Sequence, residues 1–288
     1  MYFNGYTMTG MKGPQRGVAL VTALLVVSLV TVAAVAMATR QQVDVRRTAN
    51  LLHGEQAYAH AVSAESWARV VLRRDAKDND YDVLEDEWAT ALPPIAVEGG
   101  LVSGRVEDRQ GRFNLNNLVD SDGEVSEPDL EYFIRLLENL DLEETLADRL
   151  IDWLDRDIDV RFPEGAEDQE YLLLELPYRA ANRYMSDISE LRLVKGFDRN
   201  VISLLLPHVT VLPTRTPINV NTATEVVLQA LHTELNSGDV GVLIEDRGES
   251  GYQNLEEFLE HDALAGLTLD VEVDVSSDYF RVLTDVLV

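Results

Sequence analysis

The chain has 288 residues, with 51 acidic against 24 basic side chains, a formal net charge of −27 and no cysteine. So acidic a surface repels nucleic-acid phosphates and anionic lipid headgroups, and suits solubility, a bound cation or a basic partner. Without cysteine there is no disulfide framework and the compartment cannot be read from thiols, while the length leaves room for one membrane helix and one or two compact domains.

The first long feature is apolar. Residues 18–38 are uncharged and rich in Val, Leu and Ala. At about 1.5 Å per residue such a run crosses a hydrocarbon core of roughly 30 Å. A discarded secretory signal has a shorter apolar core, about 7–15 residues, ending in a small-residue cleavage site. Ala36-Met37-Ala38 has that look, but beyond Arg40 no turn signal appears before Gly54. The expectation is a membrane helix over 18–38 continuing as one long helix to 75. In the continuation Ala57, Ala61, Ala64, Ala68 and Val71 recur every three or four residues. This narrow stripe lets another element approach closely, either the sheet of the same subunit or, in part, other subunits. The basic residues do not orient the span, because Lys12 and Arg16 precede it while Arg40, Arg46 and Arg47 follow it.

A polar break with four Asp covers 75–82. Residues 88–94 predict a short helix stopped by Pro93-Pro94. Leu101-Val102-Ser103-Gly104-Arg105-Val106 predicts a strand, Asp108-Arg109-Gln110-Gly111 a turn, and Arg112-Phe113-Asn114-Leu115 a return strand. From 126 to about 261 the patterns are helical. Ser126 and Pro128 open a helix with Leu130, Phe133, Ile134 and Leu137 on one face. A second helix gathers Leu146, Leu150, Trp153 and Leu154. A third begins at Asp187, whose spacing to Glu190 is that of a capping box, and stops at Gly196. A fourth spans 198–206, ended by Pro207. Thr222 and Glu225 open a fifth, a sixth spans about 239–247 and a seventh 254–261. Strict alternation over 269–275, followed by 279–283, predicts a second hairpin. The simplest assembly puts both hairpins in one sheet under the N-terminal helix, with the helical block inserted between them.

Three constellations bear on chemistry. Residues 155–170 hold Asp155, Asp157, Asp159, Glu164, Glu167, Asp168 and Glu170 against Arg156 and Arg161. Hard oxygens at short spacing suit calcium, which takes roughly 6–8 of them. The EF-hand register from Asp155 fails, with Val160 at the glycine position and Ala166 at the glutamate position. A solvated acidic loop accounts for the same residues without a metal. Segments 187–206, around Val194-Lys195-Gly196-Phe197, and 219–260 resemble helix-hairpin-helix units of DNA-binding proteins. However, Thr233-Glu234-Leu235-Asn236-Ser237-Gly238 lacks the two-glycine pattern that offers amides to phosphate, and the surrounding charge has the wrong sign. The five histidines are scattered without zinc spacing, and Gly248-Glu249-Ser250-Gly251 is one residue short of a nucleophile elbow. No catalytic residue is assigned, and an enzyme is not expected.

The N-terminal junction is more specific. Lys12 and Arg16 followed by Gly17 and the apolar run resemble the leader of type IV pilin-like proteins. In those families a prepilin peptidase cuts after the Gly and the new N-terminal residue is methylated. The resemblance puts the cut between Gly17 and Val18, with Met11 as a second candidate start. Pilin-like proteins usually carry Glu as the fifth mature residue, and here that position is Thr22. A carboxylate buried in lipid is costly and persists only with a partner, which in the family is thought to be the N-terminal amine of a neighbouring subunit. Among type II secretion pseudopilins, the K-type is the one that typically lacks this Glu. Gly111-Arg112-Phe113-Asn114-Leu115-Asn116-Asn117-Leu118, Trp153-Leu154-Asp155-Arg156-Asp157, Gly165-Ala166-Glu167-Asp168, Pro177-Tyr178-Arg179 and Ile218-Asn219-Val220-Asn221-Thr222-Ala223 also resemble segments of K-type minor pseudopilins (the general secretion pathway protein K family).

The resemblance implies an α+β fold: a pilin-like N-terminal transmembrane helix packed on a small antiparallel sheet, interrupted by a large inserted all-α domain that is SAM-like or helix-hairpin-helix-like. It divides the chain into a leader (1–17), the long helix (18–75), a pilin-like α/β part (76–118), two helical units (119–213 and 214–265) and C-terminal strands of the sheet (266–288), the last strand or two being absent or shifted. It implies structural calcium on Asp155, Asp157, Glu167 and Asp168, with Glu164, Glu170 and the Gly165 carbonyl as further ligands. The implied role is the tip of a periplasmic pseudopilus with the I- and J-type minor pseudopilins, supporting export of folded proteins across the outer membrane. The implied partners include the H-type subunit, the prepilin peptidase and the inner-membrane secretion platform, with no nucleic acid. The chain would cross the bacterial inner membrane once, N-terminus cytoplasmic and C-terminal domains periplasmic. The alternative is a membrane-anchored periplasmic interaction protein, or a DNA-uptake-type helix-hairpin-helix protein.

Overall fold

The computed structural model describes residues 16–288, with side chains from Val18 onward. The leader expected over 1–17, with Lys12 and Met11, lies outside the described residues except for the backbone of Arg16 and Gly17. The chain forms two units, one ending at Ala59 and one spanning His60–Leu287.

Helix α1 (Arg16–Asp78) makes up the described part of the first unit to Ala59, continues into the second, and runs unbroken past the expected end at 75. Its most apolar 18-residue window has a mean hydropathy of 2.8 and none of it is buried. The polar side chains in this stretch satisfy themselves. Thr22 Oγ1 donates to the carbonyls of Val18 and Ala19 at 3.0 Å, Ser28 Oγ to Leu25 at 2.9 Å and Thr31 Oγ1 to Val27 at 2.8 Å. A helix with its hydroxyls folded onto its own backbone presents no unmet polar group to lipid. By length and composition it can cross a membrane.

In the second unit the elements run, in chain order, β1 (Leu92–Val97), β2 (Gly100–Asp108), β3 (Phe113–Asn114), α2 (Glu127–Asn139), α3 (Leu146–Leu154), α4 (Asp168–Tyr171), α5 (Arg199–Leu205), β4 (Val209–Thr210), β5 (Ile218–Asn219), α6 (Glu225–Gln229), α7 (Ser237–Arg247), α8 (Leu255–Leu259), β6 (Val273–Asp274) and β7 (Phe280–Leu287). Strands β1, β2 and β7 form one antiparallel sheet in that order. Ala68 and Val71, at the end of the small-residue stripe, are 1% and 3% exposed and pack with Trp88, Val106, Phe280 and Val282. Here the stripe serves the sheet of its own subunit.

Three strand expectations are corrected. Residues 88–94 are not one helix: a single 3-10 turn, Glu87–Ala89, gives way to β1. The prolines lie where the β1–β2 register slips between Leu92 and Ile95, on an edge strand, so the missing N–H groups forfeit little of the ladder. The partner of β2 is therefore β1, before it, and not residues 112–115. The 108–111 turn does form, with Asp108 accepting from the N–H groups of Gln110 and Gly111 at 2.8 Å each. It leads into the helical body, where β3 pairs in parallel with β4. At the C-terminus there is no hairpin. β6 pairs in parallel with β5, because the alternation of 269–275 buries Val271 and Val275 in the helical core, while β7 pairs with β2 from Leu101↔Leu287 to Asp108↔Phe280.

Everything from Arg109 to Tyr279 is thus inserted between two neighbouring strands, and the insertion closes on itself where Arg109 N–H donates to Tyr279 O at 2.9 Å. One continuous apolar core runs through it, from Phe133, Leu150 and Trp153 to Val227, Leu243 and Phe258. The expected starts hold at the capping box of Asp187 and Glu190 and at the N-caps Asp198 and Asn254. The third helix is a 3-10 helix, Ile188–Leu193, and the fifth is capped by Thr224 rather than Thr222. Thr222 instead donates its hydroxyl to Asp108.

The asparagines of the two matching motifs pin the body together. Asn116 Nδ2 donates to the carbonyls of Met185 (3.0 Å) and Leu212 (2.8 Å), and Oδ1 accepts from Met185 N–H (2.9 Å). Asn221 Nδ2 donates to Tyr252 O (2.9 Å) and Val275 O (3.3 Å), and its Oδ1 accepts from Tyr252 N–H (2.8 Å). A Cβ at Gly111 would overlap Thr222, including its backbone carbon at 2.7 Å. Gly111→Ala is therefore expected to lower stability by about 1–3 kcal/mol, the range for overpacking a filled site. Thermal melts of the variant check it.

Candidate metal centre

Helix α3 delivers Asp155 as its C-terminal cap, with the Asp155 N–H donating to Ile151 O at 2.8 Å. The end of a helix carries partial negative charge, a poor place for a carboxylate. The loop that follows carries Asp157 outward and returns to Glu167, the N-cap of α4. Asp155, Asp157 and Glu167 each offer an oxygen within 4.8 Å of the others. Asp155 is 6% exposed and Glu167 1%. Yet Asp155 Oδ1 and Glu167 Oε1, both shut off from solvent, have no hydrogen-bond partner.

The electrostatics point the same way. Burial first, then Asp157, Asp152 and Glu167, push Asp155 up to about 7. Burial likewise pushes Glu167 up to about 7, against the N–H of Asp168 and with repulsion from Asp152, Asp168 and Asp157. Buried oxygens that lack donors and repel one another fit a divalent cation with oxygen ligands.

The remaining candidates are held elsewhere. Glu164 Oε2 pairs with Arg149 at 3.3 Å, Asp168 Oδ2 with Arg179 at 2.8 Å, and Glu170 Oε2 with Lys195 at 2.8 Å. Asp168 Oδ1 also accepts from Ala180 N–H at 3.0 Å. Gly165 has a steric task, because a Cβ there would overlap Asp152 and the Arg161 backbone. Asp152 was missed in the sequence. It is fully buried and accepts from Arg161 N–H at 3.1 and 3.2 Å, which folds the loop under α3. Its position one helical turn before Asp155 was the available signal.

A second trio, Asp75, Asp82 and Asp86, also gathers oxygens within 4.8 Å. There Asp82 accepts from Ser277 N–H (2.7 Å), and Asp86 from Val83 N–H (2.8 Å) and Trp88 Nε1 (3.2 Å). Two of these three carboxylates thus hold backbone and side chain, while burial pushes Asp75 up to about 6 and Asp82 up to about 7. In the helix-hairpin-helix-like segment, Val194 and Phe197 are buried in the core and Lys195 is neutralised by Glu170. At the other end of the chain, Gly17 and Val18 lie in the first turns of α1, and Thr22 turns its hydroxyl onto its own helix.

Two family models described as "Type II secretion system (T2SS), protein K" match residues 111–214 and 218–276. The chain is 40% identical to the type II secretion system protein K of Pseudomonas aeruginosa, over 96% of this chain and 86% of that protein. It is 34% identical to the protein of the same name from Aeromonas hydrophila, over 93% of this chain and 87% of that one. A chain in the crystal structure of the GspK-GspI-GspJ complex from the type 2 secretion system of enterotoxigenic Escherichia coli matches with a TM-score of 0.74 at 31% identity, covering 84% of this chain and 89% of that chain.

Proposed function

The chain belongs to the type II secretion system protein K family, the K-type minor pseudopilins, and on that premise we propose that it caps the tip of a periplasmic pseudopilus that supports export of folded proteins across the outer membrane. The observation that carries this reading is Thr22. Threonine has no carboxylate to receive a neighbour's terminal amine, and its hydroxyl proton is directed to Val18 and Ala19 of its own helix. A subunit without that pairing suits the end of a filament. The body of residues 109–279, standing between two strands of the sheet, would obstruct a subunit stacked above it. At the tip its neighbours are the I- and J-type minor pseudopilins, with the H-type below, and assembly starts from the inner-membrane platform. The role is structural, with no catalytic group.

In this reading the prepilin peptidase cuts between Gly17 and Val18, Val18 is methylated, and the 18–38 span stays in the inner membrane with the acidic body in the periplasm. Asp155, Asp157 and Glu167 would hold a calcium ion. Glu164, the Gly165 carbonyl, Asp168 and Glu170 are the reserve ligands, the three carboxylates joining only by exchanging their basic partners. The ion's contribution is to neutralise the carboxylates and fix the loop between α3 and α4.

Intact mass of the protein from its native membrane tests the processing. The expected species starts at Val18 and carries one methyl group. A chain still starting at Met1 or Met11 would leave a signal-anchor protein and remove the basis of the tip argument.

A further inference from the structure

The sheet has a gap along one side of β2. Strand β1 pairs with β2 only from Gly100 to Gly104, whereas β7 pairs with it as far as Asp108. Residues 105–108 therefore have a strand partner on one side alone, with the 3-10 turn at Glu87–Ala89 also nearby and Trp88 packed on Val106. Beside them lies a cleft of about 450 Å³, whose lining also includes Leu84, Ala91, Arg112, Pro207 and Thr224. Alternate residues of a strand turn their N–H and C=O groups to an open side, which is where an added strand pairs.

The cleft is lined by Arg105 and Arg112 against Glu107 and Asp108, with Arg109 near Arg112 and Arg281, a more basic balance than the chain as a whole. Acids outnumber bases 51 to 24 in the chain. An arginine should therefore find a carboxylate easily. Arg105 does, with Glu107 at 2.8 Å. Among the described residues, Arg109, Arg112 and Arg281 form no ion pair. Arg109 Nη1 is shut off from solvent without a partner, and Arg112 has only the carbonyl of Leu206 at 3.3 Å. Of the nearby acids, Asp108 is already committed to Gln110, Gly111 and Thr222. Glu107, the other nearby acid, is bonded to Arg105 and acts on Arg109 and Arg112 only at longer range, so Arg112 keeps room for a carboxylate, which its planar fork selects.

We propose that the cleft beside residues 105–108 is a docking groove for an extended, acidic segment of a neighbouring pseudopilin, which adds to the open edge of β2 and sets a carboxylate against Arg112. The proposal rests on the secretion reading only for the identity of the neighbour. The open backbone edge supplies affinity without regard to sequence, and the arginines select the acidic segment and fix its register.

A photocrosslinker placed by Ala91→Cys tests it in the full-length protein in membranes that contain the I- and J-type partners. The chain has no cysteine of its own, so the label is unique. The expected result is an adduct with a pseudopilin peptide carrying Asp or Glu in an extended segment. Arg112→Glu should reduce that adduct at least tenfold and Arg112→Lys retain it, with the melting temperature unchanged in both. Leu84→Cys, which also lines the cleft, should give the same peptide. No adduct from either position while the partners still co-purify would overturn the groove and leave the family role intact. A label protected by inorganic phosphate, with no peptide adduct, would mean a small-anion site and overturn docking. Loss of co-purification in the unsubstituted protein would overturn the tip role and the groove together.

Discussion

Removing calcium should lower the melting temperature of the detergent-solubilised chain by about 5–10 °C at pH 8, and by much less at pH 5. A ligand at about 100 times its dissociation constant stabilises by about 2.7 kcal/mol, and a domain of this size shifts by roughly 2–4 °C per kcal/mol. The sign of the pH effect follows from Asp155 and Glu167. Both folded values are raised to about 7, above the unfolded 3.8 and 4.5. Without metal, the stability these groups lend is full below about pH 4 and is lost as pH rises through 7. Calcium needs the ionised form, so its benefit grows over the same window. Glu167→Gln separates this from a solvated acidic loop. In chelator at pH 8 the variant should melt above the parent protein, having lost a buried repulsion, and in excess calcium below it. Differential scanning calorimetry with and without calcium reads both arms, and equal melting temperatures throughout would remove the metal from this loop.

The second large effect is at Asn116, which is 1% exposed. Asn116→Asp replaces a donor facing Met185 O and Leu212 O with an acceptor that is also charged. Two buried carbonyls lose their partner and an anion enters a closed site, a loss of roughly 3–5 kcal/mol. The new carboxyl is forced toward its protonated form, so the deficit should shrink as pH falls toward 4. Asn200→Asp, on the exposed face of α5, should change stability by less than about 0.5 kcal/mol. Urea unfolding at pH 8 and pH 5 distinguishes the two. A small, pH-independent change at Asn116 would mean that the body tolerates an empty junction between 116, 185 and 212.

The helices of the insertion were legible because their signals are local. Leu130, Phe133 and Leu137, or Leu146, Leu150 and Trp153, mark a buried face within one element, and Asp187 with Glu190 marks a start within four residues. Strand partners were not legible. The alternation of 269–275 reports that one face is buried but not that its neighbour is Ile218–Asn219, and Pro93-Pro94 hid an edge strand whose slipped register tolerates them. The metal-site candidates divided for a similar reason. Asp155, Asp157 and Glu167 converge because α3 ends and α4 begins beside each other. The fates of Glu164, Asp168 and Glu170 are decided by Arg149, Arg179 and Lys195, which lie 15, 11 and 25 residues away. The motif asparagines stood out as a resemblance, but their long-range hydrogen bonds close over separations of 31 to 137 residues that no local pattern encodes.

The placing of the insertion between paired strands has a mechanical consequence. Its two ends meet at Arg109 and Tyr279, and β2 and β7 run side by side for eight backbone pairs. Because Leu101 pairs with Leu287, tension entering at the start of β2 can leave at the end of β7 through the rungs at that end of the ladder, without being threaded through the 109–279 body. The body is hung on the load path instead of lying in it. Its candidate ion-binding loop between α3 and α4 is thereby isolated from the pull on the strands beneath.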